Sequence, residues 1–302
     1  MSRPLLIVVV GPTASGKTAF SIELALRFRT EIISADSRQF YREMEIGTAK
    51  PTVQQLKKVP HHFINSLSVH EEYSAGKYET EALECIQKLF VNHNAVLLTG
   101  GSFLFVDAVC NGFDKLPPAS AELREKYDAI LRQQGIRALQ ELLHLTDPVY
   151  YNEADINNPR RLIRALEVIE LTGNPYSLLR NRKPKKRGFD IVKIGLTTEK
   201  DELVNRINSR VEKMIDEGWL DECKRLYPLR KLNALQTVGY VEIFDYLDSK
   251  CDLNSAVERI KTETWHYAKR QLTWLRRDKD IIWFAPAQTD EAVQYITRTD
   301  KQ

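Results

Sequence analysis

The 302-residue sequence has no apolar run near the length of about 18 residues that a membrane-spanning helix needs. Its four cysteines lie far apart and form no CxxC pair, which argues against a disulfide framework or a zinc site and favours a reducing compartment. Neither sign of charge is in large excess, because 44 basic residues stand against 41 acidic ones. We therefore expect a cytoplasmic protein that does not enter a membrane and whose charge must be judged region by region.

Short apolar runs alternate with helical periodicity over much of the chain. The predicted strands are residues 5–10, 31–34, 95–99, 190–196 and 281–284, and the predicted helices include 73–90, 199–217, 238–247 and 253–276. This alternation predicts an α/β fold with a parallel sheet flanked by helices. Residues 116–187 are charged, helical and poor in strand signals. We expect them to form an all-helical insertion domain within an α/β core made of residues 1–115 and 188–302.

A glycine-rich loop follows the first predicted strand and matches the pattern G-x-x-x-x-G-K-[ST]. In such a loop successive backbone N–H groups surround phosphate oxygens, and the helix that follows adds the positive end of its dipole. Lysine supplies a positive charge, and the final hydroxyl can hold Mg²⁺. The predicted phosphate-binding residues are Gly11, Pro12, Thr13, Ala14, Ser15, Gly16, Lys17 and Thr18, with Thr18 as the metal ligand.

Two further loops are expected at the same edge of the sheet. Asp36 follows the second predicted strand, and Ser102 follows the third after two glycines. Ligands of open α/β folds bind where the carboxyl ends of the strands meet. The Asp36 carboxylate is suited to accept a proton or to hold Mg²⁺ through water, although an aspartate that caps a turn is an equally simple interpretation.

Basic residues are concentrated in two places. Nine lie between Arg160 and Arg187, where only Glu167 and Glu170 oppose them, and a second group interleaved with aromatic residues lies at residues 269–277. Such patches suit an RNA backbone and predict salt-sensitive binding. A solvated charged helix is the alternative for the first patch, and core packing of Trp265, Trp274 and Leu275 is the alternative for the second.

An ordered set of motifs gives the sequence a family resemblance. DSRQFYREMEIGTAKP from Asp36, YSAGKYE, GGSFLF, NPRRLIRALEV, VGY and YAKRQLTWLRR follow the phosphate loop in turn. In order and spacing the chain resembles the bacterial type of the tRNA isopentenyltransferase (IPP transferase) family from residue 8 to about residue 277. The resemblance implies a fold like that of the P-loop NTPases.

The resemblance also implies a reaction. Members transfer a dimethylallyl group from dimethylallyl diphosphate to N6 of adenosine 37 in the anticodon stem-loop of tRNA. The implied catalytic residues are Asp36 as general base, Ser102 near the target base, and Lys17 and Arg210 on the diphosphate, with Mg²⁺ as cofactor. The implied tRNA-binding residues are Asp36, Ser37, Arg38, Gln39, Ser102, Arg124, Arg160, Arg161, Leu162, Ile163, Arg164, Gly239, Tyr240, Lys269, Arg270, Gln271, Trp274 and Arg276. A monomer is expected.

The chain departs from the family pattern at several positions. Phe103 and Phe105 stand in GGSFLF where the family usually has GGTGLY, Gln236 and Val241 flank VGY in place of basic residues, and Trp265 stands where an arginine is common. A small-molecule kinase that uses ATP, a nucleotide-sensing RNA-binding protein, and prenylation of free adenine nucleotides are the alternative functions.

Overall fold

A computed structural model of the protein describes residues 3–180 and 183–299. The chain forms two compact units. One contains the residues up to Cys110 and those from Lys186 onward, and the other is Asn111–Lys185. The bounds expected from the sequence for the insert, 116 and 187, lie a few residues from these.

A parallel sheet forms the centre of the larger unit, as the alternating pattern predicted. Its six strands within the described residues are β1 (Leu5–Val10), β2 (Ile32–Ser34), β3 (His61–His62), β4 (Ala95–Gly100), β5 (Asp190–Leu196) and β6 (Ile281–Phe284). All are parallel and follow the order β3-β2-β4-β1-β5-β6. Sequence reasoning missed β3, because two half-buried histidines give no strand periodicity.

Strand β1 owes its central place to its unbroken apolar composition. All six of its side chains are buried, and alternate ones enter the cores on opposite faces of the sheet. Leu6, Val8 and Val10 lie in one core, whereas the three residues between them lie in the other. A strand that is apolar on both faces must be covered on both, and helices supply that cover.

Helices occupy most of the rest of the chain. The first four are α1 (Lys17–Phe28), α2 (Val53–Lys58), α3 (Ala75–Leu89) and α4 (Phe103–Cys110). The insert contains α5 (Ala121–Gln134), α6 (Ile136–Thr146), α7 (Pro148–Glu153), α8 (Pro159–Thr172) and α9 (Tyr176–Leu179). The last five are α10 (Lys200–Asp216), α11 (Trp219–Leu226), α12 (Tyr240–Leu247), α13 (Leu253–Leu275) and α14 (Thr289–Thr299). Within the described ranges, none of these helices combines the length and apolar composition of a membrane span.

The insert has a hydrophobic core of its own. Leu139, Leu143 and Leu162 are fully buried in it, together with flanking residues of α5, α7 and α8. Helix α8 has a clear start and end: the Asn158 side chain accepts a hydrogen bond from the Arg161 N–H at its start, and Gly173 adopts a left-handed conformation at its end. Among the residues that the structure describes, helices are the only regular secondary structure of the insert.

Candidate active site

Three adjacent strands bring the predicted site residues to one edge of the sheet. Strands β2, β4 and β1 are neighbours, and their carboxyl ends lead into Asp36, Ser102 and the phosphate loop respectively. The loop borders a cavity of about 370 Å³ that is also lined by Asp36, Gly101, Arg210 and Tyr267. The structure thus brings together Lys17, Asp36 and Arg210, which are far apart in the sequence.

The phosphate loop presents its backbone to this cavity. Ala14 and Gly16 have positive φ values of 62° and 88°, the alternation that turns neighbouring N–H groups toward one point. Helix α1 starts directly after Gly16, with no side chain capping it and no acidic residue in its first turn. Its first N–H groups are therefore available to an anion, and its dipole favours negative charge there.

Two cationic side chains face the same cavity. The Lys17 ammonium donates a hydrogen bond to the Pro12 carbonyl at 2.6 Å, and the Arg210 guanidinium donates to the Thr13 hydroxyl at 3.4 Å. Burial lowers the pKa of Lys17 to about 8; the Asp36 charge opposes this shift, and the Arg210 charge adds to it. Burial lowers the pKa of Arg210 as well. Two desolvated cations beside open N–H groups make a site for a highly charged anion.

A close approach between strands fixes the position of Asp36. The Ala35 N–H donates a hydrogen bond to the Thr99 carbonyl at 2.7 Å, which holds the end of β2 against β4. A Cβ atom at Gly100 would lie 2.3 Å from the Ala35 carbonyl oxygen, so only glycine fits there. The Asp36 carboxylate accepts a hydrogen bond from the Arg38 N–H at 3.0 Å, and this fixes the direction of its side chain.

The hydroxyl groups of Ser37, Ser102 and Tyr267 belong to the same region as the carboxylate. The Ser102 hydroxyl accepts a hydrogen bond from the Ser37 N–H at 3.0 Å and lies 3.0 Å from the Ser37 hydroxyl. Tyr267 lines the same cavity as Asp36, and burial together with the Asp36 charge raises the pKa of Tyr267 to about 12. The phenol is therefore neutral near pH 7. The sequence did not predict Tyr267 as a site residue, because nothing in the pattern distinguishes a tyrosine on a long helix from a core residue.

Gln271 supports the phosphate loop. Its side-chain oxygen accepts a hydrogen bond from the Thr13 N–H at 2.8 Å, and its side-chain nitrogen donates to the Gly101 carbonyl at 2.8 Å. The side chain is 2% exposed. Gln271 therefore connects the loop after β1 with the loop after β4. The family resemblance implied an RNA contact at Gln271 and did not predict this connection.

A second cavity of about 330 Å³ adjoins the first. Thr13, Asp36, Arg210 and Tyr267 line both cavities. The rest of its lining combines the apolar side chains of Ile207, Val211, Met214, Trp219, Val238 and Ile260 with the polar side chains of Ser37, Arg38, Thr48, Gln236, Thr237 and Thr264. The two cavities together can hold a molecule with a charged end and an apolar end, with the carboxylate at the junction.

The oxygen atoms of the site fit a magnesium ion. Thr18 and Asp36 line the same cavity and offer a hydroxyl and a carboxylate, the hard ligands that Mg²⁺ prefers. Mg²⁺ is usually held by one or two protein ligands together with substrate phosphates and water. Residues 3–180 and 183–299 contain no cluster of three or more His, Cys, Asp or Glu side chains suited to a metal.

Several residues expected to contact RNA are engaged within the larger unit. Arg38 donates hydrogen bonds to the carbonyls of Asn233 and Ala234, and Gln39 to those of Thr48 and Ala49. Tyr240 is fully buried, and the Gly239 N–H donates to Glu242. In contrast, Lys269, Arg270 and Arg276 of the second basic stretch are exposed.

In the insert, too, some of the predicted RNA contacts are exposed and others are engaged within the fold. Arg160 and Arg161 are exposed and, within the described ranges, have no carboxylate partner. Arg164 lies 2.5 Å from Glu167 and donates to the Pro117 carbonyl, and Arg124 lies 3.4 Å from the same glutamate, which is completely buried. The side chains of Leu162 and Ile163 belong to the insert core. Arg182, counted in the basic patch, lies outside the described residues.

The parallel sheet, the glycine-rich loop after β1 and the open N-terminus of α1 define an α/β protein with a fold like that of the P-loop NTPases. The pattern of the IPP transferase family matches residues 39–278, and the chain belongs to that family. A relative from Bacteroides fragilis strain YCH46, tRNA dimethylallyltransferase 1, is 47% identical over 305 residues and covers 100% of both chains.

Solved structures agree with this assignment. The full-length tRNA isopentenylpyrophosphate transferase of Bacillus halodurans matches with a TM-score of 0.73 and 37% identity, over 99% of this chain and 97% of that one. A eukaryotic dimethylallyltransferase acting on tRNA matches with a TM-score of 0.78 and 27% identity, over 95% of this chain and 76% of that one. The family resemblance that the motifs indicated is confirmed, and so is the expected α/β fold with a parallel sheet flanked by helices.

Proposed function

We propose that the protein transfers a dimethylallyl group from dimethylallyl diphosphate to N6 of adenosine 37 in tRNA and releases diphosphate. The observation that carries this proposal is the pair of adjoining cavities, one suited to phosphates and one with six apolar side chains in its lining, with Asp36 lining both. Relatives named tRNA dimethylallyltransferase support the choice of donor and acceptor.

The donor is proposed to lie across the two cavities. Its diphosphate occupies the phosphate loop and its five-carbon group contacts the apolar wall near Val211 and Met214. The allylic C–O bond breaks, and its electron pair leaves with the diphosphate. Backbone N–H groups, Lys17 and Arg210 stabilise the negative charge that develops on the departing group. Mg²⁺, held by the diphosphate and the Thr18 hydroxyl, would neutralise further charge.

The acceptor amine is proposed to reach the carboxylate at the junction. An exocyclic adenine amine is a weak nucleophile, and it must lose a proton as its bond to carbon forms. Asp36 accepts that proton as general base. Ser102 and Tyr267, neighbours of Asp36, orient the adenine by hydrogen bonds, and the neutral Tyr267 phenol can act as a donor.

Both units are proposed to contribute to tRNA binding. Exposed cations of α8, Arg160 and Arg161, and of α13, Lys269 and Arg270, supply phosphate contacts. A target base within an anticodon loop must leave its stack to reach a carboxylate in a cavity, as in other base-modifying enzymes. We place this activity in the cytoplasm and expect a monomer.

One reaction tests the proposal. The protein is incubated with unmodified tRNA, Mg²⁺ and either dimethylallyl diphosphate or ATP, and the nucleosides are then analysed by mass spectrometry. Release of diphosphate together with N6-dimethylallyladenosine at position 37 is the expected result. Consumption of ATP alone would favour a small-molecule kinase. Faster transfer to free AMP than to tRNA would make free adenine nucleotides the acceptor. Binding of tRNA without turnover would favour a nucleotide-sensing RNA-binding protein.

A further inference from the structure

A third concave surface lies on the larger unit beside the proposed active site. This groove has a volume of about 610 Å³ and is lined mainly by α13 and by Phe103 at the start of α4. We propose that the groove binds the base of a nucleotide next to the target adenosine, stacked on the aromatic pair Phe103–Trp274. This inference rests on the proposed function.

The aromatic pair forms a two-ring stack, here called the platform, which a base can extend. The ring centroids of Phe103 and Trp274 are 4.5 Å apart and their planes differ by 22°, which is a stacked arrangement. Both side chains are partly exposed, and both line the groove. Every base has a π face, so such a surface binds single-stranded RNA without demanding one particular base.

The charge around the platform suits a nucleotide. Lys269, Arg270 and Arg277 line the groove and are exposed, and no acidic residue lines it. Within the described part of the chain, none of these three cations has a carboxylate partner. Arg270 and Trp274 are four residues apart on α13 and lie on one face of the helix, and Arg277 follows its end. A base on the aromatic pair would thus have its phosphates near unpaired cations.

The groove continues into the active site. Tyr267 lines the groove as well as both cavities, and Gln271 lines the groove and the phosphate-loop cavity. The groove and the Asp36 junction therefore share the Tyr267 side chain as a common wall. This shared wall favours an adjacent nucleotide of the same RNA strand over a separate ligand.

The platform is a property of this chain. Its GGSFLF segment places Phe103 where the family pattern GGTGLY has glycine, and a glycine there would leave Trp274 without a stacking partner. The groove residue Phe103 therefore adds a second ring to the stack in this protein. We expect RNA binding by this protein to depend more strongly on base stacking next to the target adenosine than it does in relatives with glycine at this position.

Fluorescence of a base analogue tests the inference without any prenyl donor. Two anticodon stem-loops carry 2-aminopurine, one on the 5′ side and one on the 3′ side of the target adenosine. Binding of the intact protein should quench one of them strongly through stacking. Phe103→Leu keeps apolar bulk but removes the ring, so the quench should be lost and the Kd for that RNA should rise about tenfold. Phe90→Leu, which removes another partly exposed ring outside the groove, is the matched control.

The outcomes separate the platform from the proposed function. An unquenched probe at both positions, or an unchanged quench and Kd in Phe103→Leu, overturns the platform, while prenyl transfer by the intact protein shows that the proposed function stands. Phe103→Trp, which keeps a ring, should retain the quench. If Phe103→Leu does not fold, Arg277→Gln supplies the second measure. Its RNA affinity should depend less steeply on salt, by about one unit of slope, and an unchanged slope contradicts the inference.

Discussion

The sequence predicts functional residues at the edge of the parallel sheet and in the helical insert, but the structure places the two groups in different surroundings. At the sheet edge, buried strands end side by side and leave Asp36, Lys17 and Ser102 around a cavity. In the insert, Arg124 and Arg164 lie against the buried Glu167, and only some cations, such as Arg160, are exposed without a partner among the described residues.

This difference shows that a sequence motif predicts a binding site more reliably than a count of charged residues does. The phosphate loop acts through its backbone, so its sequence pattern nearly defines its geometry. A basic cluster has no such constraint, and part of its charge stabilises the fold that carries it. The net positive charge of residues 160–187 therefore overstates the cationic surface available to RNA.

The largest expected effect is at the carboxylate of the sheet edge. Asp36→Asn removes the general base while preserving shape, so the transfer rate should fall by about 10³-fold. The affinity for the tRNA should change only a few-fold. Single-turnover transfer and filter binding measure the two quantities, and full turnover in this variant would exclude Asp36 from proton transfer.

The next largest effect tests how tightly the strands position that carboxylate. Gly100→Ala would drive a methyl group to within 2.3 Å of the Ala35 oxygen and displace the end of β2. Transfer should fall by roughly 10²-fold, the scale of a displacement of about 1 Å at a reacting group. Gly188→Ala is the control, because no atom lies within 4 Å of its added Cβ and its φ is not positive. Equal activity of the two variants would refute the positioning role of the contact between β4 and β2.

The comparison within the insert predicts two kinds of loss. The double variant Arg160→Gln, Arg161→Gln should weaken tRNA binding and lower the slope of log Kd against log salt by about two, with unchanged thermal stability. Arg164→Gln should instead destabilise the insert by about 3 kcal/mol, since it removes a partner of the buried Glu167. Hydrogen exchange in the full-length chain measures the second effect. If Arg164→Gln lowered only RNA affinity, Arg164 would belong with the exposed cations.

The smallest expected effect is a pH dependence of diphosphate binding. Lys17 is charged below its lowered pKa of about 8 and loses its proton as the pH rises through that value. The affinity for inorganic diphosphate should therefore fall a few-fold between about pH 7 and pH 9. Lys17→Arg stays protonated over this range and should lack that component, although both proteins share the titration of the ligand itself. Identical profiles would show that Lys17 does not titrate in the free site.

Much of the catalytic unit was predictable because its local signals agree with one another. Strands β1, β5 and β6 begin and end at the residues that the sequence predicts, and the Ser74 side chain caps α3 by accepting a hydrogen bond from the Lys77 N–H. The phosphate loop, Asp36 and Ser102 follow from their positions after strands. The family resemblance contributed Arg210, which no local pattern identifies.

Contacts between distant segments were not predictable. Gln271 is 258 residues from Thr13, yet its side chain holds the phosphate loop, and nothing in its surroundings on α13 distinguishes it from an exposed glutamine. The burial of Glu167 depends on how α5 and α8 pack, so the sequence left its two arginine partners as apparent surface charge. The stacking of Phe103 on Trp274 likewise required the packing of α4 beside α13.

The central claim is that the phosphate loop binds the leaving group of a prenyl donor while an adenine amine takes the five-carbon group. The most direct measurement is a single incubation of the protein with dimethylallyl diphosphate, Mg²⁺ and an unmodified anticodon stem-loop, followed by mass analysis of the RNA and an assay for diphosphate. The account predicts that the RNA gains the mass of one dimethylallyl group for each diphosphate released. An unchanged RNA mass with no diphosphate released would contradict it.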